Sequence, residues 1–199
     1  VEIETPKSAL ERAIAGDFEA YGEVYRAYST RLLRQAMTLC GNAALTEELA
    51  QDTLVEAWKH LRRYNGRCEF FTWLCAILLN RYRNSLRGHR AVPISSLGRG
   101  DQDEFTNAIA TLKDQGALPN EAAELAEQTA LVRRCIESLP AKHQRVVYLR
   151  FYVDDSLEGI AAALGCSVGT VKSRLFHALE RLRGMNALSA QFMHLKARS

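Results

Sequence analysis

Proline and glycine are scarce in this chain, 4 and 12 among 199 residues, which excludes collagen-like and low-complexity architectures. No stretch approaches the roughly 18 consecutive apolar residues of a membrane span. The longest apolar run, Phe70–Leu79, is broken by Thr72 and reads as a buried helix. The opening Val-Glu-Ile-Glu-Thr-Pro has neither a basic start nor an apolar core, so no secretory signal is expected. The five cysteines (Cys40, Cys68, Cys75, Cys135, Cys166) never stand at C-x-x-C spacing, which argues against a zinc ribbon or a disulfide framework. The five histidines lack metal-ligand spacing as well. There is no phosphate-binding glycine loop, nucleophile elbow or H-E-x-x-H sequence. The expectation is a cytoplasmic protein without catalysis, metal or cofactor.

What is present is charge in blocks. The overall balance is +3, from 26 basic and 23 acidic residues. Residues 41–58 hold Glu47, Glu48, Asp52 and Glu56 and no lysine or arginine, a balance of −4. Residues 59–90 hold Lys59, Arg62, Arg63, Arg67, Arg81, Arg83, Arg87 and Arg90 against Glu69, a balance of +7. Residues 98–128 come to −5 and residues 170–183 to +3. Clustered arginine suits phosphate, because the planar guanidinium pairs bidentately with its oxygens.

Helical periodicity dominates. Tyr21, Val24, Tyr25, Tyr28, Leu32, Ala36 and Leu39 recur on one face between Asp17 and Cys40, with Gly16-Asp17 as start and Gly41-Asn42 as stop. A second helix is expected over about 46–61, burying Leu49, Thr53, Ala57 and Leu61, with Glu47 and Glu48 in its dipole-favoured first turn. After the loop Tyr64–Glu69 a third runs from about Phe70 to Gly88. Periodicity fades over 91–120, an acidic stretch with Pro93, Gly98, Gly100, Gly116 and Pro119 that reads as a flexible linker. Helices resume over about 121–138 and 141–152. The fold class is therefore all-α: two small helical domains joined by an acidic flexible linker.

The most specific local signal lies between Ser156 and Arg183. Ser156 caps a short helix Leu157–Leu164, Gly165 supplies the turn, and Ser167 caps a second helix. Ala161, Gly165 and Val171 stand where a helix-turn-helix needs a small crossing residue, a turn glycine and a β-branched inward residue. With Val171, Leu175, Ala178, Leu179 and Leu182 inward, Thr170, Lys172, Ser173, Arg174 and His177 face outward as donors for a major groove.

Taken together, the two halves resemble the extracytoplasmic-function sigma factors of bacterial RNA polymerase. The segments that carry the resemblance are Gly16-Asp17-Phe18, Glu47-Glu48-Leu49-Ala50-Gln51-Asp52, Phe71-Thr72-Trp73-Leu74 with Ile77 and Asn80, Leu139-Pro140, and the run Gly165–Leu175. They cover about residues 8–90 and 121–183 in the family's order and separation. The resemblance implies sigma region 2 over 1–90, a linker over 91–120, sigma region 4 over 121–186 and a C-terminal tail over 187–199. Glu48, Leu49, Gln51 and Asp52 match the segment that binds the clamp of core RNA polymerase. The loop Tyr64–Glu69 matches the segment that captures a base flipped from the −10 element. Tyr64, Asn65 and Arg67 are its candidate contacts, and Gly66 is expected to permit close backbone approach. Asn80, Arg81, Arg83, Asn84 and Arg87 follow on the next helix, arginines for the opened strand's backbone and asparagines for base edges.

Region 4 implies reading of the −35 duplex through Thr170, Lys172, Ser173, Arg174 and His177, and contact with the polymerase flap. The family also implies an anti-sigma factor as partner, membrane-linked or soluble, with no membrane insertion of the chain itself. Two departures stand out. Several relatives carry arginine where this chain has His177, and a neutral histidine there weakens guanine recognition. Asn84 stands where the family often has aspartate. Phe71 and Trp73 are read as core residues rather than base-stacking ones, and Cys68 and Cys166 as incidental thiols rather than redox sensors. The alternative is a stand-alone helix-turn-helix regulator whose first domain senses an effector or dimerises. Such a regulator needs neither the Glu47–Asp52 segment nor the Tyr64–Glu69 loop.

Overall fold

The computed structural model describes residues 7–88 and 119–185, with the side chains of residues 8–86 and 128–185. All regular structure among them is helical, and the chain separates into two units between residues 114 and 115. Residues 91–118 of the expected linker and the tail from 187 onward lie outside the described residues.

The first unit is built on α2 (Phe18–Cys40). Asp17 caps it by accepting from the Ala20 N–H at 3.1 Å, and Gly41, at φ 66°, ends it by donating to the Met37 carbonyl. A left-handed φ costs little only without a Cβ, so the stop falls at the glycine. Asn42 does not share in that stop. It opens α3 (Ala43–His60) by accepting from the Leu45 N–H at 3.0 Å. The helix thus begins three residues before the sequence-based start, because two alanines extend it without adding to the apolar periodicity. Glu47 and Glu48 consequently lie beyond the first turn, which contains no acid, and the dipole argument for them falls away.

A short helix α1 (Lys7–Ile14), which the periodicity did not reveal, packs on α2. Its buried residues are the alanines Ala9 and Ala13. Arg12 ties it down, reaching Asp17 at 3.1 Å and Glu23 at 3.0 Å. A single 3-10 turn, Leu61–Arg63, follows α3, and α4 (Phe70–Gly88) packs across both α2 and α3. Val24, Leu32, Leu33 and Ala36 of α2 meet Leu49, Thr53, Leu54 and Ala57 of α3 and Phe71, Leu74, Leu78 and Leu79 of α4 in one core. The Tyr21 hydroxyl, buried within it, donates to the Leu54 carbonyl.

The second unit holds α5 (Pro119–Glu137), α6 (Ala141–Phe151), α7 (Leu157–Leu164) and α8 (Val168–Arg183). α5 starts at Pro119, inside the expected linker; proline suits a first helical position, where its missing N–H is not needed. Pro140 gives α6 no side-chain cap. Gln144 joins the two helices instead, donating through Nε2 to the carbonyls of Glu137 (2.6 Å) and Leu139 (2.8 Å). α6, α7 and α8 pack pairwise around Val146, Leu149, Ile160, Ala161, Val171, Leu175 and Ala178. Ser156 accepts from the Gly159 N–H and Ser167 from the Thr170 N–H, while Gly165 sits at φ 63° between the two helices. This is the helix-turn-helix that the spacing predicts.

Candidate nucleic-acid and polymerase interfaces

The outer face of α8 follows from its inner one. With Val171, Leu175 and Ala178 buried, Lys172, Ser173 and His177 are exposed. Two expected contacts are partly engaged within the fold. The Thr170 hydroxyl lies 2.9 Å from the Ser167 hydroxyl, inside the cap. Arg174 is half-buried, with a guanidinium nitrogen 3.9 Å from the Cys166 sulfur in the turn. Phe176, which the donor-based reading passed over, is 61 % exposed on the same face. Positions 172, 173, 176 and 177 share one side of a helix, so the spacing held the signal and the residue's apolar character hid it.

His143, in the first turn of α6, is 94 % buried behind this face (6 % exposed), and its Nδ1 has no hydrogen-bond partner. Its ring stacks on that of His177, centroids 6.4 Å apart and planes 28° from parallel. Burial holds its basicity below the usual imidazole range, and Lys142, Arg181, His177 and Arg174 add repulsion. The unfolded chain therefore binds a proton here more readily than the folded one, so stability rises with pH. The contribution is whole above about pH 6.5, the ordinary histidine value, and is lost as pH falls toward the depressed folded one. The second unit should melt at progressively lower temperature as pH falls below about 6.5. His143→Phe should flatten that dependence, as followed by thermal circular dichroism.

On α3, Glu48 and Gln51 are exposed and Asp52 is half-exposed. Leu49 is only 2 % exposed. It lines up with Thr53 and Ala57 toward the core, so it shapes the helix from within and cannot touch a partner: a correction to its expected role. Val55, 54 % exposed, and the half-buried Trp58 continue the face that Glu48, Gln51 and Asp52 begin. Phe18 of α2, 70 % exposed, sets its ring edge-on to Trp58 at 5.6 Å. The surface is acidic at one end and aromatic at the other. The acidic segment drew attention in the sequence, while the i+4 and i+7 continuation from Gln51 did not.

Asp52 also accepts a 2.9 Å bond from Arg81 of α4. The expected clamp contact and the expected strand contact are thus partners of each other, and Arg81, two-thirds buried, is committed to the α3–α4 seam. Asn80 and Asn84 are exposed on α4 and Arg83 is half-buried; the Arg87 side chain lies outside the described residues.

The loop before α4 is pinned. The Tyr64 hydroxyl donates to the Cys68 carbonyl at 2.6 Å, and the Asn65 side-chain oxygen accepts from the Arg67 N–H at 3.1 Å. Gly66 has φ 69°, and a Cβ there would meet nothing within 4 Å. Its glycine is needed for the backbone turn rather than for lack of room. The Tyr64 ring packs edge-on to Phe70 at 5.2 Å and lies 5.5 Å from Trp73, and burial pushes its hydroxyl up to about 12. Tyr64 therefore anchors the loop, leaving the exposed Asn65 and Arg67 at its tip. Phe71 is 3 % exposed, as core packing requires, with the Arg31 guanidinium 3.8 Å above its ring. Trp73 is half-buried.

Among the described residues no helix is long and apolar enough to cross a membrane, and no group of three or more histidine, cysteine or acidic side chains gathers in metal-binding geometry. Residues 24–92 match the family profile Sigma-70 region 2, and residues 135–184 match Sigma-70, region 4. The RNA polymerase sigma-H factor of Pseudomonas aeruginosa is 30 % identical over 179 residues, covering 90 % of this chain and 92 % of the relative. The ECF RNA polymerase sigma factor SigW of Bacillus subtilis is 25 % identical, covering 89 % and 94 %. The ECF RNA polymerase sigma-E factor of Escherichia coli K12 is 29 % identical, covering 89 % and 92 %. Two solved structures share the fold at 23 % identity. One is CnrH in complex with the cytosolic domain of CnrY (TM-score 0.59, 94 % of this chain and 99 % of that one). The other is the sigma factor RpoE in complex with the anti-sigma factor NepR from Bartonella quintana (TM-score 0.53, 86 % and 98 %). With a region 2 helical unit, a region 4 helix-turn-helix and near-full-length likeness to these relatives, the chain belongs to the extracytoplasmic-function sigma factors of bacterial RNA polymerase.

Proposed function

We propose that the chain acts in the cytoplasm as an alternative initiation factor, with region 2 over 1–90 and region 4 over 121–186 joined by the acidic stretch 91–120. It binds core RNA polymerase, recognises −35 and −10 elements, promotes promoter opening and catalyses nothing itself. The observation that carries this reading is the coexistence of surfaces for different partners on one chain. They are the acidic and aromatic face of α3, the loop tip at Asn65 and Arg67 leading into α4, and the donor-lined face of α8.

On this reading Glu48, Gln51, Asp52, Val55 and Trp58 meet the clamp, with Leu49 holding their helix from inside. Asn65, Arg67, Asn80, Arg83, Asn84 and Arg87 receive the melted −10 strand. Tyr64, bonded to the Cys68 carbonyl, and Arg81, bonded to Asp52, act behind these contacts as supports. Lys172, Ser173, Phe176 and His177 enter the −35 major groove, where a phenyl ring suits a thymine methyl; Thr170 and Arg174 serve the helix start and the flanking phosphate. The second unit also contacts the flap. An anti-sigma factor holds the chain inactive, as NepR is in complex with RpoE in the Bartonella structure.

Transcription reconstituted from core polymerase, this chain and a library of linear promoters tests the reading. Discrete start sites that appear only when the chain is added are expected. Initiation no greater than with core alone, together with duplex binding by the free chain, would favour a stand-alone regulator instead.

A further inference from the structure

From Val24 to Thr46 the chain carries Arg26, Arg31 and Arg34 and no acid or lysine. All three arginines are exposed on α2, and among the described residues none of them pairs with a carboxylate. Arg12 and Arg81 of the same unit are, by contrast, neutralised, one by Asp17 and Glu23 and the other by Asp52. Resting on the assignment of the Asn65–Arg67 loop tip to the melted −10 strand, we propose that Arg31 and Arg34 form a second phosphate-binding edge for that strand, on α2 beside the aromatic base of the loop.

Ring contacts join α2 to the loop. Tyr64, at the start of the loop, packs on Phe70 at 5.2 Å, and Tyr28 of α2 packs on the same ring at 5.2 Å and on Phe71 at 6.1 Å. Arg31, three residues after Tyr28 and so on the same side of α2, sets its guanidinium 3.8 Å over the Phe71 ring. A carboxylate would both hold and neutralise that group, whereas an aromatic ring holds it and leaves its charge uncompensated. Arg31 is therefore positioned and still free to meet an anion. Arg34 shares its side of the helix three residues on. Like charges at this spacing oppose each other, and an anionic chain lying across both relieves the repulsion. The surroundings define that anion. A guanidinium pairs bidentately with phosphate oxygens, and the half-buried Tyr28 and Trp73 offer ring surface nearby. Cations interleaved with aromatic rings suit a single strand, whose bases are free to stack on them. Arg26, five residues before Arg31, stands on a different side of α2, with a guanidinium nitrogen 3.7 Å from where a Cβ on Gly22 would lie.

The test uses holoenzyme assembled from the full chain and core polymerase. The probe is a promoter enriched by that holoenzyme from a linear library, with its −10 segment held open by mismatches. Arg31→Gln and Arg34→Gln should each weaken binding to this bubble by about fivefold. Each should also make the dependence of log affinity on log salt shallower by roughly 0.7 unit, the single-strand value for one phosphate contact. Arg26→Gln should leave both quantities as in the wild type. Arg31→Gln also removes the contact with Phe71, whereas the Arg34 side chain has no such partner, so Arg34→Gln reads the phosphate contact without disturbing the fold. Neutral methylphosphonate linkages, placed one at a time in the open non-template strand, give the same test from the DNA side. At one position the wild-type holoenzyme should lose about fivefold and Arg31→Gln should lose nothing more. Bubble binding by the Arg31→Gln, Arg34→Gln double variant with wild-type affinity and salt slope overturns the proposal and leaves this edge of α2 to an acidic protein segment. The loop-tip variant Asn65→Ala with Arg67→Ala separates this failure from that of the underlying reading: if it too binds the bubble like the wild type, the assignment of the loop to the melted strand falls, and this inference with it.

Discussion

Asp52→Arg is expected to weaken holoenzyme formation by about a hundredfold or more, since the resemblance implies basic clamp helices opposite this segment and a like-charge contact at an interface costs several kcal/mol. The structure makes the experiment sharper than a single substitution. Asp52 is also the partner of Arg81 at 2.9 Å, so the variant sets two cations together across the α3–α4 seam. A loss of binding could then come from a disturbed first unit. The charge-swapped pair Asp52→Arg with Arg81→Asp separates the two causes. It restores the intramolecular bond, which for a pair this exposed contributes about 1 kcal/mol or less. Melting temperature should return close to the wild-type value while core binding, measured by co-migration with core polymerase, stays lost. Recovery of core binding in the swapped protein would assign Asp52 a structural role and move the clamp contact to Glu48, Gln51 and the Val55–Trp58 end of the face.

Lys172→Ala with Arg174→Ala should lower −35 affinity by about tenfold to a hundredfold at moderate salt. The slope of log affinity against log salt should become shallower by roughly one unit for each phosphate contact removed. The two residues are not equivalent. Lys172 is exposed, whereas Arg174 is half-buried against the Cys166 sulfur at 3.9 Å. Lys172→Ala alone should account for one unit of slope without changing stability. Arg174→Ala should also loosen the turn between α7 and α8, visible as a lower melting temperature. Binding of the double variant that matches wild type at low salt would exclude α8 as the reading helix.

Much of this protein is local, and that part was legible in its sequence. Caps and turns depend on a few neighbouring residues, so Asp17, Ser156, Gly165 and Ser167 announced their elements in advance. The helix-turn-helix face was legible for the same reason, because a 3.6-residue period fixes which side chains share a side. Where the sequence signal was alanine, as in α1 and the first turn of α3, periodicity had nothing to detect. Phe176 was missed because an apolar residue on a polar face looks like core until its exposure is seen.

The site residues divide in the same way. The sequence by itself determined the two-part helical architecture, the alternation of acidic and basic segments, and the helix-turn-helix with its outward-facing donors. Only the tertiary structure decided which of those residues are available. It turned Leu49 inward, joined Arg81 to Asp52, closed Tyr64 onto the Cys68 carbonyl and put His143 behind His177. The physical reason is one of range. Helix face and charge sign follow from spacing along one element, whereas burial and partnership depend on which second element arrives, and that contact is made between residues as far apart as 52 and 81 or 143 and 177.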